Sequence, residues 1–159
     1  MGLLGKMYRW TLPKEAKVVS TDAVQQWNTY SCGAQAYRMI VAHFEGRAVP
    51  YEEAAKAVKL TRDGAYDDDI LQALDNAGFE VEELPLDGDS FDEALDQGKL
   101  ILTDRPTLIN MGECTHAIVI SGYTPNAYVI LDSTLGVYTR PWEKVIENTT
   151  AAWSCWKRA

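Results

Sequence analysis

The fold is decided by one stretch near the N-terminus, Gln25-Gln-Trp-Asn-Thr-Tyr-Ser-Cys-Gly-Ala-Gln-Ala36. Ser31 is a typical helix N-cap, and apolar residues recur after it at helical spacing as far as Gly46, a residue type that commonly ends helices. The sequence therefore predicts a helix from Ser31 to about Glu45, with Cys32 in its first turn. Backbone N–H groups there lack helical partners and, with the helix dipole, stabilise a thiolate. Gly33 is expected to leave room for a substrate.

Beyond this helix, the hydrophobic pattern changes from helical to alternating along the chain. Further helices are predicted over 51–58, 68–77, 91–96 and 142–147. Strands are predicted over 79–84, 99–103, 115–123, 127–132, 136–139 and 151–156. This order indicates an α+β domain in which N-terminal helices pack against a C-terminal antiparallel sheet, with the active site in the cleft between them. We expect residues 1–159 to form a single domain, of which 1–17 are an extended lead-in.

Two of the predicted strands carry candidate partners for Cys32. His116 lies at the start of one apolar run and Asp132 ends the next, with a turn at 124–126 between them. A turn centred on Thr124 places His116 directly opposite Asp132, with Cβ atoms about 5 Å apart on the same face. The aspartate would then orient one ring nitrogen of the histidine and leave the other for a thiol. Gln26, upstream of the helix, carries an amide that can stabilise an oxyanion.

Charge and composition exclude several functional classes. A net charge of −8 argues against a nucleic-acid partner, whose binding surface would be basic. No apolar run is long enough to span a membrane, and no signal peptide is evident. Three cysteines without an export signal favour a reduced, cytoplasmic setting. Cys114 lies two residues before His116, but a structural zinc needs about four ligands, so neither a metal nor a cofactor is predicted.

Taken together, these residues resemble the papain-like cysteine peptidases. The sequence is most similar to the double-glycine leader peptidases, a family found at the N-terminus of bacteriocin-exporting transporters. The shared features are a glutamine, five residues and then Cys32-Gly33-Ala34, where members typically show Cys-Gly-x-Ala, a helix that ends at Gly46, a histidine followed by an apolar run and Gly-Tyr, and Asp132 near the end of the next strand; Gln35 stands where that motif has its Ala. The likeness runs from about residue 18 to 153. Ser31 departs from it, since transporter-linked members usually carry Asp there.

The resemblance implies a papain-like fold and a role for each candidate residue. Cys32 would be the nucleophile, His116 the general base and acid, Asp132 its orienting group and Gln26 the oxyanion donor. The implied substrate is a peptide or protein, handled by a free-standing domain without an attached transporter. We expect the segment 104–113 to form a substrate-facing loop.

Other functions use the same residues. A thiol acyltransferase or a glutamine deamidase needs the same nucleophile and base. A catalytically silent domain that binds a peptide or partner protein is a second possibility, although a pure binder has no need of all four residues. An effector that uses the fold against a host protein is a third.

Overall fold

A computed structural model describes residues 15–20, 23–24, 28–106 and 115–159. Within these ranges the helices are α1 (Cys32–Glu45), α2 (Tyr51–Ala57), α3 (Asp67–Asn76), α4 (Gly88–Asp96) and α5 (Trp142–Asn148). The strands are β1 (Lys17–Val18), β2 (Phe79–Glu83), β3 (Leu100–Pro106), β4 (Thr115–Tyr123), β5 (Ala127–Asp132), β6 (Gly136–Pro141) and β7 (Ala151–Lys157).

The described strands form one antiparallel sheet in the order β2-β7-β3-β4-β5-β6, and the short β1 pairs with β4 beside this path. The C-terminal strand β7 lies inside the sheet, where it pairs with β2 on one side and β3 on the other. Residues far apart in sequence are therefore neighbours across the middle of the sheet.

Helices cover both faces of the sheet because strands alternate the direction of their side chains. In β4, Ala117 and Val119 pack into the core beneath α1, α2 and α3. Ile118 and Ile120 pack into a second core with residues of α4 and α5. The predicted α+β class, with helices against an antiparallel sheet, is confirmed. The sequence pattern did not indicate that α4 and α5 lie on the second face.

The bounds of the helices and strands lie close to those predicted from the sequence, with three differences. Helix α4 begins three residues before the predicted start, because Asp87 caps it by accepting a hydrogen bond from the Ser90 N–H at 2.7 Å. Strand β3 continues to Pro106, so Asp104 and Arg105 pair with β4. The prediction that a loop begins at residue 104 is therefore wrong, and residues 107–114 lie outside the described ranges. Strand β1 was not predicted, since it is two residues long.

None of the helices in the described ranges combines the length and the hydrophobicity that a bilayer crossing requires.

Candidate active site

Cys32 is the first residue of α1 and is half-buried. The preceding turn is held by Asn28, whose Oδ1 accepts hydrogen bonds from the N–H groups of Tyr30 at 3.1 Å and Ser31 at 2.9 Å. Ser31 is the N-cap residue, as predicted, but its side chain makes no capping bond. Its buried hydroxyl instead accepts from the Gln35 amide at 3.4 Å. The turn therefore fixes the nucleophile candidate at the start of a rigid helix.

Gly33 lets neighbouring elements close against the first turn of α1. A Cβ at this position would lie 2.8 Å from Cδ1 of Ile70 and 3.1 Å from Cβ of Ala65. Ile70 belongs to α3, and Ala65 to the segment before it. The space that the sequence analysis left for a substrate beside Gly33 is thus filled by protein, and substrate has to reach Cys32 from another side.

His116 and Asp132 are brought together at the open end of the β4–β5 hairpin. His116 Nε2 lies 3.0 Å from Oδ1 of Asp132, and the two side chains are 10% and 1% exposed. Cys32 lies close enough to His116 to contribute to the raised pKa of the imidazole. Because Nε2 faces the aspartate, the other ring nitrogen, Nδ1, is left for the sulfur. The structure therefore brings three of the four predicted site residues together.

The predicted register of the hairpin is wrong, although the contact forms. Val119 pairs with Leu131, and a bulge between Ile120 and Gly122 shifts the pairing near the turn. If this register continues, His116 lies two residues from the position opposite Asp132. The two side chains are diagonal neighbours on one face of the sheet, a separation within reach of a histidine ring.

The charged forms of His116 and Asp132 stabilise each other. Burial would lower the pKa of His116, but hydrogen bonds with Asp132 and Cys32 outweigh it and raise the pKa to about 9. Burial would raise the pKa of Asp132, yet the hydrogen bond from His116 and the charges of His116 and Arg105 hold it below its ordinary value. At neutral pH, imidazolium and carboxylate are therefore the favoured forms.

Asp132 has further partners that the sequence did not reveal. Its Oδ1 accepts from the Thr134 N–H at 2.8 Å. Its Oδ2 accepts from the Tyr138 hydroxyl at 3.1 Å and lies 3.3 Å from Nη2 of Arg105. No spacing rule links these residues to Asp132, and the sequence predicts a loop at Arg105. The alternation of residues in β6 was the available signal for Tyr138, since it shares a face with Asp132.

Gln26, the predicted oxyanion donor, and Cys114, the weak metal candidate, lie outside the described residues. In the part of the chain that the structure covers, no group of three or more His, Cys, Asp or Glu side chains is arranged to hold a metal ion.

The site is also distinct from a cavity of about 440 Å³ at the other end of the hairpin. That cavity is lined by residues of α4, α5 and the β4–β5 turn, among them Asp92, Pro125 and Trp142. From His116 to the turn is roughly 25 Å along β4. The cavity therefore contributes nothing to the surroundings of Cys32.

Known proteins match the chain at the level of family and fold. The model of the Peptidase C39 family matches residues 20–152. None of the curated proteins matches the chain. Among solved structures, the chain is similar to a double glycine motif protease from an AMS/PCAT transporter in complex with its leader peptide, at 20% identity and a TM-score of 0.70, over 89% of this chain and 94% of that one.

Two other solved structures show the same fold. The peptidase domain of Streptococcus ComA, a bifunctional ABC transporter involved in quorum sensing, has 18% identity and a TM-score of 0.73, with 87% of this chain and all 100% of that one covered. A C39-like peptidase from Bacillus anthracis has 15% identity and a TM-score of 0.68, over 92% and 100% of the two chains. At such identities the likeness concerns the fold, and it confirms the papain-like architecture. The family match, which extends over most of the 159 residues, shows that the chain belongs to the Peptidase C39 family and is a cysteine peptidase.

Proposed function

We propose that the chain hydrolyses a peptide bond with Cys32 as nucleophile, His116 as general base and acid, and Asp132 as the group that orients His116. The observation that carries this proposal is the position of His116, which contacts Asp132 through Nε2 at 3.0 Å and lies near enough to Cys32 for the thiol to influence its pKa. A histidine between a thiol and a carboxylate is the arrangement that nucleophilic catalysis by cysteine requires.

The proposed first step is acylation. The Cys32 thiolate attacks the carbonyl carbon of the scissile bond, and the His116 imidazolium donates its proton to the leaving amine. The amine departs as the C–N bond breaks, and a thioester on Cys32 remains. The raised pKa of His116, about 9, keeps the proton available at neutral pH, while Asp132 stabilises the positive charge.

Hydrolysis of the thioester completes the proposed cycle. Neutral His116 takes a proton from water, whose oxygen attacks the thioester carbonyl, and the thiolate leaves. The N–H groups of the first turn of α1 are suitable donors to the oxyanion, because they have no partner within the helix. We propose Gln26 as a further donor, on the strength of its position six residues before Cys32.

We propose a peptide as the substrate. One structural neighbour is a double glycine motif protease in complex with a leader peptide, which supports an extended peptide segment as the ligand class for this fold. The half-buried position of Cys32 fits a segment that passes over the start of α1 rather than a large folded surface.

Alkylation of the cysteines tests the nucleophile. Iodoacetamide is applied between pH 5 and 9, and modification at each cysteine is followed by peptide mass spectrometry. We expect Cys32 to react well below pH 8, and at least about tenfold more slowly in His116→Ala. Cys155 serves as an internal control, because complete burial raises the pKa of its thiol to about 12. His43→Ala is the matched histidine control, and equal rates in the two histidine variants contradict the proposal.

Isotope labelling tests hydrolysis itself. A peptide mixture is incubated with the protein in H₂¹⁸O, and each new C-terminus is expected to carry one ¹⁸O atom from the attacking water. Cleavage should be absent in Cys32→Ala and retained in Cys155→Ala. Conversion of glutamine to glutamate without cleavage would instead identify a deamidase, and transfer to an added amine an acyltransferase.

A further inference from the structure

A row of polar side chains crosses four neighbouring strands beside the candidate active site. Arg105 of β3 pairs directly with His116 of β4. Asp132 of β5 and Tyr138 of β6 lie on the same face, since Tyr138 pairs with Ile130, two residues before Asp132. His116, the second residue of the row, lies near Cys32. Through His116 every residue of the row is therefore linked to the nucleophile candidate.

The two oxygens of Asp132 are used differently. Oδ1 faces His116 at 3.0 Å and also accepts from the Thr134 N–H at 2.8 Å. Oδ2 accepts from Tyr138 at 3.1 Å and lies 3.3 Å from Arg105. The oxygen that does not contact His116 therefore receives two donors, which fix the rotation of the carboxylate.

We infer that Arg105 and Tyr138 are positioning residues, which hold Asp132 ionised and correctly rotated, and that the charge of Arg105 eases release of the His116 proton. This inference rests on the proposed function, in which His116 gives that proton to the leaving group. Tyr138 acts through Asp132 alone, whereas Arg105 acts both through Asp132 and through its own charge beside His116.

Counting charges shows why the arginine is needed. Before reaction, the thiolate and the carboxylate balance His116 and Arg105. In the acyl-enzyme, Cys32 is uncharged and His116 has lost its proton, so Arg105 and Asp132 still balance. Without Arg105 both states would carry an unbalanced negative charge, in a site where Asp132 is 1% exposed and an unpaired buried charge is costly. Arginine suits this role because it stays protonated throughout.

Tyr138 is suited to the same task as a neutral donor. Burial and the nearby charge of Asp132 raise the pKa of its hydroxyl, so it keeps its proton. Within the described residues the buried Nε of Arg105 has no hydrogen-bond partner. The ion pair with Asp132 is therefore the interaction that accounts for the position of the guanidinium. The Arg105 side chain is only 18% exposed, so solvent screens its charge weakly.

The charged or titratable groups around His116 can be named from each described element. They are Cys32 of α1, Arg105 of β3 and Asp132 of β5, with Tyr138 of β6 behind Asp132. Cys32 and Asp132 favour the protonated imidazole, whereas Arg105 opposes it. Removal of Arg105 is therefore expected to make His116 bind its proton more tightly.

An NMR titration of the imidazole tests this inference. The chain has two histidines, so the ring signal of His43 is an internal reference, and a Cys32→Ala background leaves the readout independent of nucleophilicity. In this background we expect Arg105→Met to raise the titration midpoint of His116 by on the order of one pH unit. Arg105→Lys keeps the charge and should leave the midpoint close to that of the parent.

A midpoint that stays the same or falls in Arg105→Met overturns the inference, as does an equal rise in Arg105→Lys. The matched control is Arg47→Met, which removes an exposed arginine from ion pairs with Glu45 and Glu53 and should not move the midpoint. If Arg105→Met does not fold, Tyr138→Phe provides the test, with a smaller rise expected. If Cys32 of the unmodified protein does not react selectively with iodoacetamide, the proposed function is refuted. The titration of His116 instead tests only whether Arg105 and Tyr138 position Asp132.

Discussion

Replacing Asp132 by Asn removes the charge that holds His116 protonated while it preserves the size of the side chain. In the folded protein the pKa of His116 is about 9, against an ordinary value of 6.5. That difference corresponds to roughly 3 kcal/mol of extra stabilisation of the charged imidazole. Asp132 supplies the first of the contributions that raise the pKa, and Cys32 the next. Most of this stabilisation should therefore disappear in Asp132→Asn.

The pH dependence of stability follows from the sign of the shift. A raised pKa means that the folded state binds the proton more tightly than the unfolded state, so the stabilisation is complete below about pH 6.5. It is lost as the pH rises through about 9. The free energy of unfolding of the unmodified protein should thus exceed that of Asp132→Asn most at pH 6. The excess should shrink by about 2–3 kcal/mol by pH 9.5.

Urea unfolding monitored by tryptophan fluorescence at pH steps from 5.5 to 9.5, under reducing conditions, measures this excess. Asp96→Asn is the matched control, because Asp96 is exposed and accepts a hydrogen bond from Tyr123. The free energy of unfolding of this control, plotted against pH, should run parallel to that of the unmodified protein. If the free energy of unfolding of Asp132→Asn also runs parallel to it across this pH range, the protonation of His116 does not depend on Asp132 and the reasoning about the site fails.

Two further predictions concern the fold. A Cβ at Gly122 would meet the backbone of Lys17 and lie 2.8 Å from Cα of Val18, so Gly122→Ala should displace β1, at a cost of about 1–3 kcal/mol. Hydrogen exchange should show loss of protection at the Val19 amide, which donates to the Ser121 carbonyl at 2.6 Å, and unchanged protection there contradicts this. Asp87→Ala removes the cap on the Ser90 N–H and should lower stability by about 1 kcal/mol in thermal unfolding, while Asp87→Ser should recover most of it.

The sequence predicted the elements whose signals are local. Helix α1 has a cap residue before Cys32 and a stop at Gly46, whose left-handed φ of +68° suits a residue without a side chain. Strands β4 and β5 end at the predicted residues because apolar runs bounded by Gly, Pro and Asn define them. Those signals placed Cys32, His116 and Asp132 on the right elements.

Features that depend on tertiary geometry were missed. The bulge between Ile120 and Gly122 was signalled only by an isolated glycine inside a strand pattern, so the diagonal relation of His116 to Asp132 was predicted as a direct one. Arg105 stands in Asp-Arg-Pro, a combination typical of loops, yet pairing with β4 extends the strand through it. Tertiary pairing overrode local preference at both places.

The location of β7 between β2 and β3 has a consequence for biosynthesis. A nascent chain can form α1 early, but the strand that joins β2 to the rest of the sheet is synthesised only at residues 151–157. Until then β2 has no partner among the described strands and β3 is paired on one side only, and contacts between such distant segments form slowly. The sheet is therefore completed only after residue 157 has been synthesised, and until then its unpaired strand edges are available for pairing with other chains.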